Sequence, residues 1–406
     1  MNIVVAQSGG PTCAINASLV GVFRQALKTE EIDAVFGSRC GIEGIIKDDM
    51  VDLTRVIRSN EDMELLRQTP STVLGSCRYK LPMLDEEGAD EMYANIFACL
   101  DKHRIGAFFY IGGNDSMDTV DKLSKYGLAT GSDIRFVGIP KTIDNDLPET
   151  DHTPGFGSAA KYVCATVQEI IRDSSVYSID SVTIIEVMGR HAGWLTASTC
   201  MLRVNNEIAP HLIYLPECDF SAEKFLEDVR AERAKHQAVI VAVSEGLEID
   251  GDSARSGAVD NFGHKYLSGI GKALEQLVRD EIGCKVRSVE LNVMQRCSSH
   301  ICSKTDIDEA EQIGAEAVKA AMRGATGVTM VFKRVSDKPY LVNIETADTS
   351  LMANKEKFFP RKWINSAGNG ISDEAIKYFL PLIQGEVDVF MKNGMPRHFK
   401  YSNIPV

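Results

Sequence analysis

The chain has 406 residues, 44% of them hydrophobic and 25% charged, the composition of a globular protein long enough for two α/β domains and a core without disulfide staples. Its net charge of −13 argues against a general nucleic-acid-binding surface, which needs an excess of positive charge, but not against a small anion gripped by a few converging Arg and Lys. No stretch approaches the roughly 20 apolar residues that span a bilayer, and the run Met1 to Ala6 lacks the basic flank of a signal peptide; the expectation is a cytoplasmic protein with neither a membrane nor a nucleic-acid partner.

In chain order, Ile3 to Ala6 predicts a strand and Asn16 to Leu27 a helix, with apolar residues at Leu19, Val20, Val22, Phe23, Ala26 and Leu27. Between them lies Ser8-Gly9-Gly10-Pro11. Glycines let backbone approach an anion, and a helix N-terminus offers free N–H groups and a positive dipole end. The segment is neither G-x-G-x-x-G nor a P-loop, and a plain strand-to-helix turn would look the same. Leu74-Gly75-Ser76-Cys77-Arg78 adds Arg78 as a candidate phosphate contact. Ala107 to Ile111 predicts a buried strand, then Gly112-Gly113-Asn114-Asp115-Ser116 and a helical stretch from about Asp115 to Tyr126. Asn114 and Asp115 either offer oxygens to Mg²⁺ or simply cap the helix.

Arg135 to Ile139, closed by Pro140, leads into the strongest local signal, Lys141-Thr142-Ile143-Asp144-Asn145-Asp146. Phosphoryl transfer needs a base for a hydroxyl proton, a metal on the transferred phosphate and positive charge on developing oxyanions; these residues supply each type. Val182 to Val187 and Ala238 to Val243 repeat the strand pattern, followed by Met188-Gly189-Arg190 and by Glu245-Gly246. His191, next to Arg190, reads as a packing or capping residue. Val286 to Met294 is a further strand pattern, with Arg287 within it and Arg296 just beyond as candidate phosphate contacts, and Pro381 to Met391 reads as mixed helical. Strands alternating with helices imply parallel sheets covered on both faces, with ligands beyond the strands' carboxyl ends. The ten Cys show no C-x-x-C pair and read as reduced thiols; Cys297, His300 and Cys302 are the nearest approach to a metal cluster.

Taken together and in this order, the motifs resemble the phosphofructokinase family, from about residue 3 to about residue 330. The resemblance implies an α/β fold of two Rossmann-like lobes with mostly parallel sheets covered by helices and the active site in the cleft between them. Lobe 1 would span about 1–157 plus 295–345 and lobe 2 about 158–294, with 346–406 a C-terminal extension packing on both. Gly10 and Arg78 would contact the phosphoryl donor. Asp144 would accept the proton of a sugar 1-hydroxyl, with Thr142 and Asp146 beside it. Met188, Gly189, Arg190, Glu245, Met294, Gln295 and Arg296 would surround the sugar phosphate. Arg287 is similar to an Arg that reaches across a subunit interface, which implies a homodimer or homotetramer. Asn114 stands where the family usually has an Asp on Mg²⁺, so Mg²⁺ is the implied cofactor, with Asp115 or Asp144 sharing its ligation.

Donor choice turns on Asp115 and Lys141, positions where ATP-using members typically carry Gly. A carboxylate at 115 would crowd and repel a nucleotide's α-phosphate, while Lys141 would neutralise the charge of pyrophosphate in the transition state. Both resemble the pyrophosphate-dependent branch. The implied reaction is reversible, Mg²⁺-dependent transfer from pyrophosphate to the 1-hydroxyl of fructose 6-phosphate, giving fructose 1,6-bisphosphate in glycolysis or gluconeogenesis. Val293, often His or Tyr in the family, and Ser181, an Arg in some bacterial members, would relax the sugar site, for example toward sedoheptulose 7-phosphate. Two alternatives stay open. One is an ATP-dependent 6-phosphofructokinase, since some Lys-containing members use ATP. The other is a non-catalytic phosphosugar sensor on the same fold, suggested by Asn114, Val293 and Ser181.

Overall fold

The computed structural model describes residues 1–249 and 269–400. Its principal strands are β1 (Asn2–Gln7), β2 (Ala34–Ser38), β3 (Met50–Asp52), β4 (Ile105–Gly112), β5 (Arg135–Pro140), β6 (Ser181–Val187), β7 (Leu212–Tyr214), β8 (Ala238–Ser244), β9 (Lys285–Glu290), β10 (Val328–Asp337) and β11 (Tyr340–Asp348). They build a seven-stranded sheet in the order β11-β10-β5-β4-β1-β2-β3 and a four-stranded sheet in the order β7-β8-β6-β9. The four-stranded sheet is parallel throughout. In the larger sheet only the outermost pairs, β2 with β3 and β10 with β11, are antiparallel.

Sequence explains the layering. β1 is apolar at consecutive positions because both of its faces are covered. Ile3 and Val5 pack with Leu19 and Phe23 of the helix Ile15–Ala26 and with Ile313 of the helix Lys304–Met322. Val4 and Ala6, pointing the other way, pack with Phe97, Phe108 and Phe136. The helices Ile15–Ala26 and Lys304–Met322 touch backbone to backbone through glycine: a Cβ on Gly21 would lie 1.9 Å from the Glu311 carbonyl oxygen, and one on Gly314 2.1 Å from that of Ser18. The C-terminal residues Phe359 and Phe379 are buried in the core of the smaller sheet beside Phe156 and Trp194.

Two sequence expectations need correction. The strand pattern Val286 to Met294 stops at Glu290: Asn292 takes a left-handed backbone (φ 42°), and Met294–Cys297 is a helical turn. Pro381 to Met391 is not a helix. The helix Asp373–Phe379 precedes it, a single 3₁₀ turn spans Leu380–Ile383, and Met391–Lys392 pairs with Met395–Pro396 as a short ribbon. What matters for the site is that the carboxyl ends of β1, β4 and β5 face those of β6 and β8 across one cavity.

Candidate active site

That cavity has a volume of about 280 Å³. Its first wall is the turn after β1, where Gly9 has φ 76°. The turn is laced to the next segment: Ser8 Oγ donates to the Cys77 carbonyl at 3.2 Å and Ser76 Oγ to the Gly9 carbonyl at 2.6 Å. This places Arg78 at the cavity with Gly10. The second wall is the turn after β4. Here Asp115 forms an ion pair with Lys80 at 2.9 Å, and the side-chain oxygen of Asn114 is buried without a hydrogen-bond partner.

Lys141 joins the two walls. It is 2% exposed, its backbone N–H donates to the Gly112 carbonyl at 2.9 Å, and its ammonium donates to the Gly10 carbonyl at 2.6 Å. A Cβ added to Gly9 would lie 3.3 Å from Lys141 Nζ, and one on Gly10 3.7 Å from Arg296 Nη1. Two cations therefore flank the glycine turn. Burial pulls the Lys141 ammonium down to about 8, with Arg296 and Arg78 acting the same way and Asp144 and Asp146 opposing them.

The carboxylates respond in the opposite sense. Burial pushes Asp144 above its ordinary range although Arg190, Lys141 and Arg296 pull it back. Burial and the neighbouring Asp144 push Asp146 up to about 7, and the same two causes take Glu245 to about 7. Asp144 is oriented locally, its backbone N–H donating to Thr142 Oγ1 at 3.1 Å.

The opposite wall comes from the ends of β6 and β8. Met188, Arg190 and Glu245 line the cavity. Gly189 has φ 140°, and a Cβ there would lie 2.7 Å from the Ala192 carbonyl, so the bend that turns Arg190 inward requires glycine. Buried Gln295 holds this bend from behind, accepting from the Met188 N–H at 3.2 Å.

A cavity of this kind gathers converging cations, unpaired carboxylates and glycine turns at strand ends, the parts of an anion-handling phosphotransfer site. Comparison with known proteins agrees. The sequence model of the family "Phosphofructokinase" matches residues 2–321. The chain belongs to the phosphofructokinase family. It is 39% identical over its whole length to a pyrophosphate–fructose 6-phosphate 1-phosphotransferase of Xanthomonas campestris, covering 97% of that protein. It is 37% identical to the Halomonas elongata protein of the same name, over 98% of this chain and 95% of the other. The crystal structure of a pyrophosphate-dependent phosphofructokinase from Nitrosospira multiformis superimposes with a TM-score of 0.89 at 35% identity, covering 100% of this chain and 97% of that one. The two lobes of mostly parallel sheet and the cleft between them are those of the phosphofructokinase fold.

Of the residues singled out in the sequence of this phosphofructokinase, Gly10, Arg78, Asn114, Asp115, Lys141, Thr142, Asp144, Asp146, Met188, Arg190, Glu245 and Arg296 line the cavity. Gly189 and Gln295 stand directly behind it. Met294 is 50% exposed and lies outside the lining. Arg287 is elsewhere, on β9, where it pairs with Asp173 at 2.7 Å and donates to Ser174 Oγ at 3.0 Å.

Sequence reasoning missed Glu356. It lines the cavity and pairs with His191 Nδ1 at 2.8 Å, so His191 is a cavity residue rather than a packed or capping one. Among the described residues, the group with metal-ligand spacing is Asp48, Cys99 and His103, outside this cavity, and not Cys297, His300 and Cys302. No helix among the described residues is long and apolar enough to cross a membrane.

Proposed function

We propose that this chain transfers a phosphoryl group reversibly from inorganic pyrophosphate to the 1-hydroxyl of fructose 6-phosphate, yielding fructose 1,6-bisphosphate and phosphate. The observation that carries the donor reading is Lys141. Its ammonium is buried against Gly10 and next to the Gly9 turn, a fixed charge where a compact, strongly anionic donor gains most from it. Asp115, paired with Lys80 on the same side, adds a smaller bar by crowding and repelling the extra phosphate of a nucleotide. The relatives that share the whole length of the chain carry names specifying pyrophosphate.

In this reading Asp144 takes the proton of the 1-hydroxyl, and the freed oxygen attacks the terminal phosphorus. The bridging P–O bond breaks, and the departing phosphate keeps its electron pair next to Lys141. Arg190 and Arg296 grip the 6-phosphate, while Thr142, Met188, Gly189 and Glu245 position the sugar and Arg78 and Gly10 the donor. Mg²⁺ is the proposed cation. A buried amide oxygen with no partner at Asn114, in one cavity with Asp115 and Asp144, is a donor set suited to a hard cation. When bound, the cation would offset the negative charge of the pyrophosphate oxygens. Arg287, outside the cavity, suits a role at a subunit contact. Sedoheptulose 7-phosphate as a second acceptor rests on Val293 and Ser181 alone, both outside the cavity lining, and a cytoplasmic location is likewise part of the proposal. Lobes of about 1–157 plus 295–345 and 158–294 remain the proposed division.

The test is the initial rate with fructose 6-phosphate and Mg²⁺, pyrophosphate against ATP at matched concentration. We expect turnover with pyrophosphate and almost none with ATP. The reverse result would overturn the donor assignment, and silence with both would overturn the reaction.

A further inference from the structure

The loop that carries Asp144 has little regular structure of its own. Between β5 and the helix Phe156–Ser174 it passes through left-handed backbone at Asn145 (φ 54°) and Glu149 (φ 63°). Its base is closed by the Thr142 N–H on the Pro154 carbonyl at 3.2 Å and by Thr153 Oγ1 on the Thr142 carbonyl at 2.8 Å. Beyond that base, bonds from the C-terminal region take over.

The backbone N–H of Lys357 donates to the Asp146 carbonyl at 2.6 Å. The Lys357 ammonium donates to the carbonyls of Thr150 at 3.0 Å and Asp151 at 2.9 Å. The Tyr378 hydroxyl donates to the Asp151 carbonyl at 2.6 Å and accepts from Asn145 Nδ2 at 2.9 Å. One hydroxyl thus uses both its donor and its acceptor capacity to staple the two ends of the loop together. Both side chains are themselves fixed. Lys357 lies over the Trp194 ring at 5.1 Å, and its carbonyl accepts from Trp194 Nε1 at 3.0 Å. The Tyr378 ring lies 5.3 Å from that of Trp194, with the Arg334 guanidinium over it at 4.6 Å.

We propose that Lys357 and Tyr378 form a clamp that sets the position of the catalytic loop, so that both act as positioning residues for Asp144. This rests on reading Asp144 as the base. The two residues pin Asn145 and Asp146, the two positions immediately after Asp144, and the far end of the loop at Thr150 and Asp151. Both lie beyond residue 321, where the family match ends, so the clamp is a feature of the C-terminal region of this chain. A misplacement of about 1 Å at a reacting group can cost about 10²-fold in rate, which is why bonds to main-chain carbonyls of the loop bear on chemistry.

The test uses the full chain, with pyrophosphate and fructose 6-phosphate as substrates. Tyr378→Phe keeps the ring and its stacking and removes only the hydroxyl; Lys357→Met keeps the length and removes the ammonium. For Tyr378→Phe we expect kcat to fall about tenfold or more, KM for both substrates to stay within about twofold, and the acid limb of the pH–rate profile to move. Loss of mere packing would lower Tm without this split. A folded Tyr378→Phe enzyme with kcat within about twofold of the parent overturns the clamp, even if Lys357→Met does not fold. Asp144→Ala is run alongside. If it too is fully active, the base assignment falls and the clamp with it; if it is crippled while Tyr378→Phe is not, only the clamp falls.

Discussion

Two clusters of charge sit at opposite ends of the 144–152 loop, one lining the cavity and one in the interior, and they are built on opposite principles. At the cavity end, Asp144 and Asp146 face each other without a hydrogen-bonded cation, and burial raises both. At the far end, His152 lies between Asp151 at 2.9 Å and Glu309 at 2.8 Å. Arg334 donates to Asp151 at 2.9 Å and Tyr340 to Glu309 at 2.8 Å. Burial pulls His152 down, yet Glu309 and Asp151 take it up to about 9. Burial works against Asp151 as well, but His152 and Arg334 hold it below the ordinary carboxylate range. One cluster is closed by hydrogen bonds within the protein; the other opens on the cavity, with Arg190, Lys141 and Arg296 acting on it from around the lining. Carboxylates raised by burial in a cleft without a hydrogen-bonded cation are the ones to suspect of chemistry.

The comparison breaks most sharply at Asp144. Asp144→Ala should lower kcat by a factor on the order of 10²–10⁴, with little change in sugar binding, as for a lost general base. A loss of only a few-fold would mean that proton transfer is handled elsewhere. The far cluster should answer in stability rather than rate. His152 binds its proton more tightly folded than unfolded. Its contribution is therefore complete below its ordinary value near 6.5 and lost as pH rises through about 9. Unfolding midpoints should fall over that window by an amount corresponding to about 2–3 kcal/mol. His152→Gln should flatten the fall, and an equally steep fall in the variant would show that the network does not hold the proton.

How far these features can be read in the sequence depends on whether their cause is local. β1, β4, β5, β6 and β8 are mostly apolar runs, the turns after β1, β4, β6 and β8 are marked by glycine and β5 is closed by Pro140, so the strand-end residues from Gly10 to Glu245 are legible one motif at a time. β7 has only Leu212–Tyr214 to announce it, and β11 alternates on a largely exposed edge. Val293 and Met294 extend the strand pattern of β9 in sequence, but the left-handed turn at Asn292 interrupts it without a glycine to mark the place. Lys357 and Tyr378 reach the loop across sequence separations of 207 and 227 residues. Nothing near either residue signals that partner. Glu356 is hidden for the same reason, its His191 partner being 165 residues away.

The smallest expected effect sharpens the donor argument. Asp115 is a half-exposed carboxylate already paired with Lys80, and exposed ion pairs are worth about 0.2–1 kcal/mol. Its charge is thus partly met within the protein, and removing it releases Lys80, a cation that favours any phosphate donor. Electrostatic exclusion of a nucleotide at this position should therefore be modest. For Asp115→Gly we expect the ratio of kcat/KM for ATP to that for pyrophosphate to rise by about tenfold, not by thousands, while Lys141 still favours the smaller donor. Asp115→Asn separates the two causes, because it keeps the volume and removes the charge. If the asparagine variant matches the glycine variant, repulsion is the bar; if it matches the parent, crowding is. No change in the ratio with either would move the whole of donor selection to Lys141.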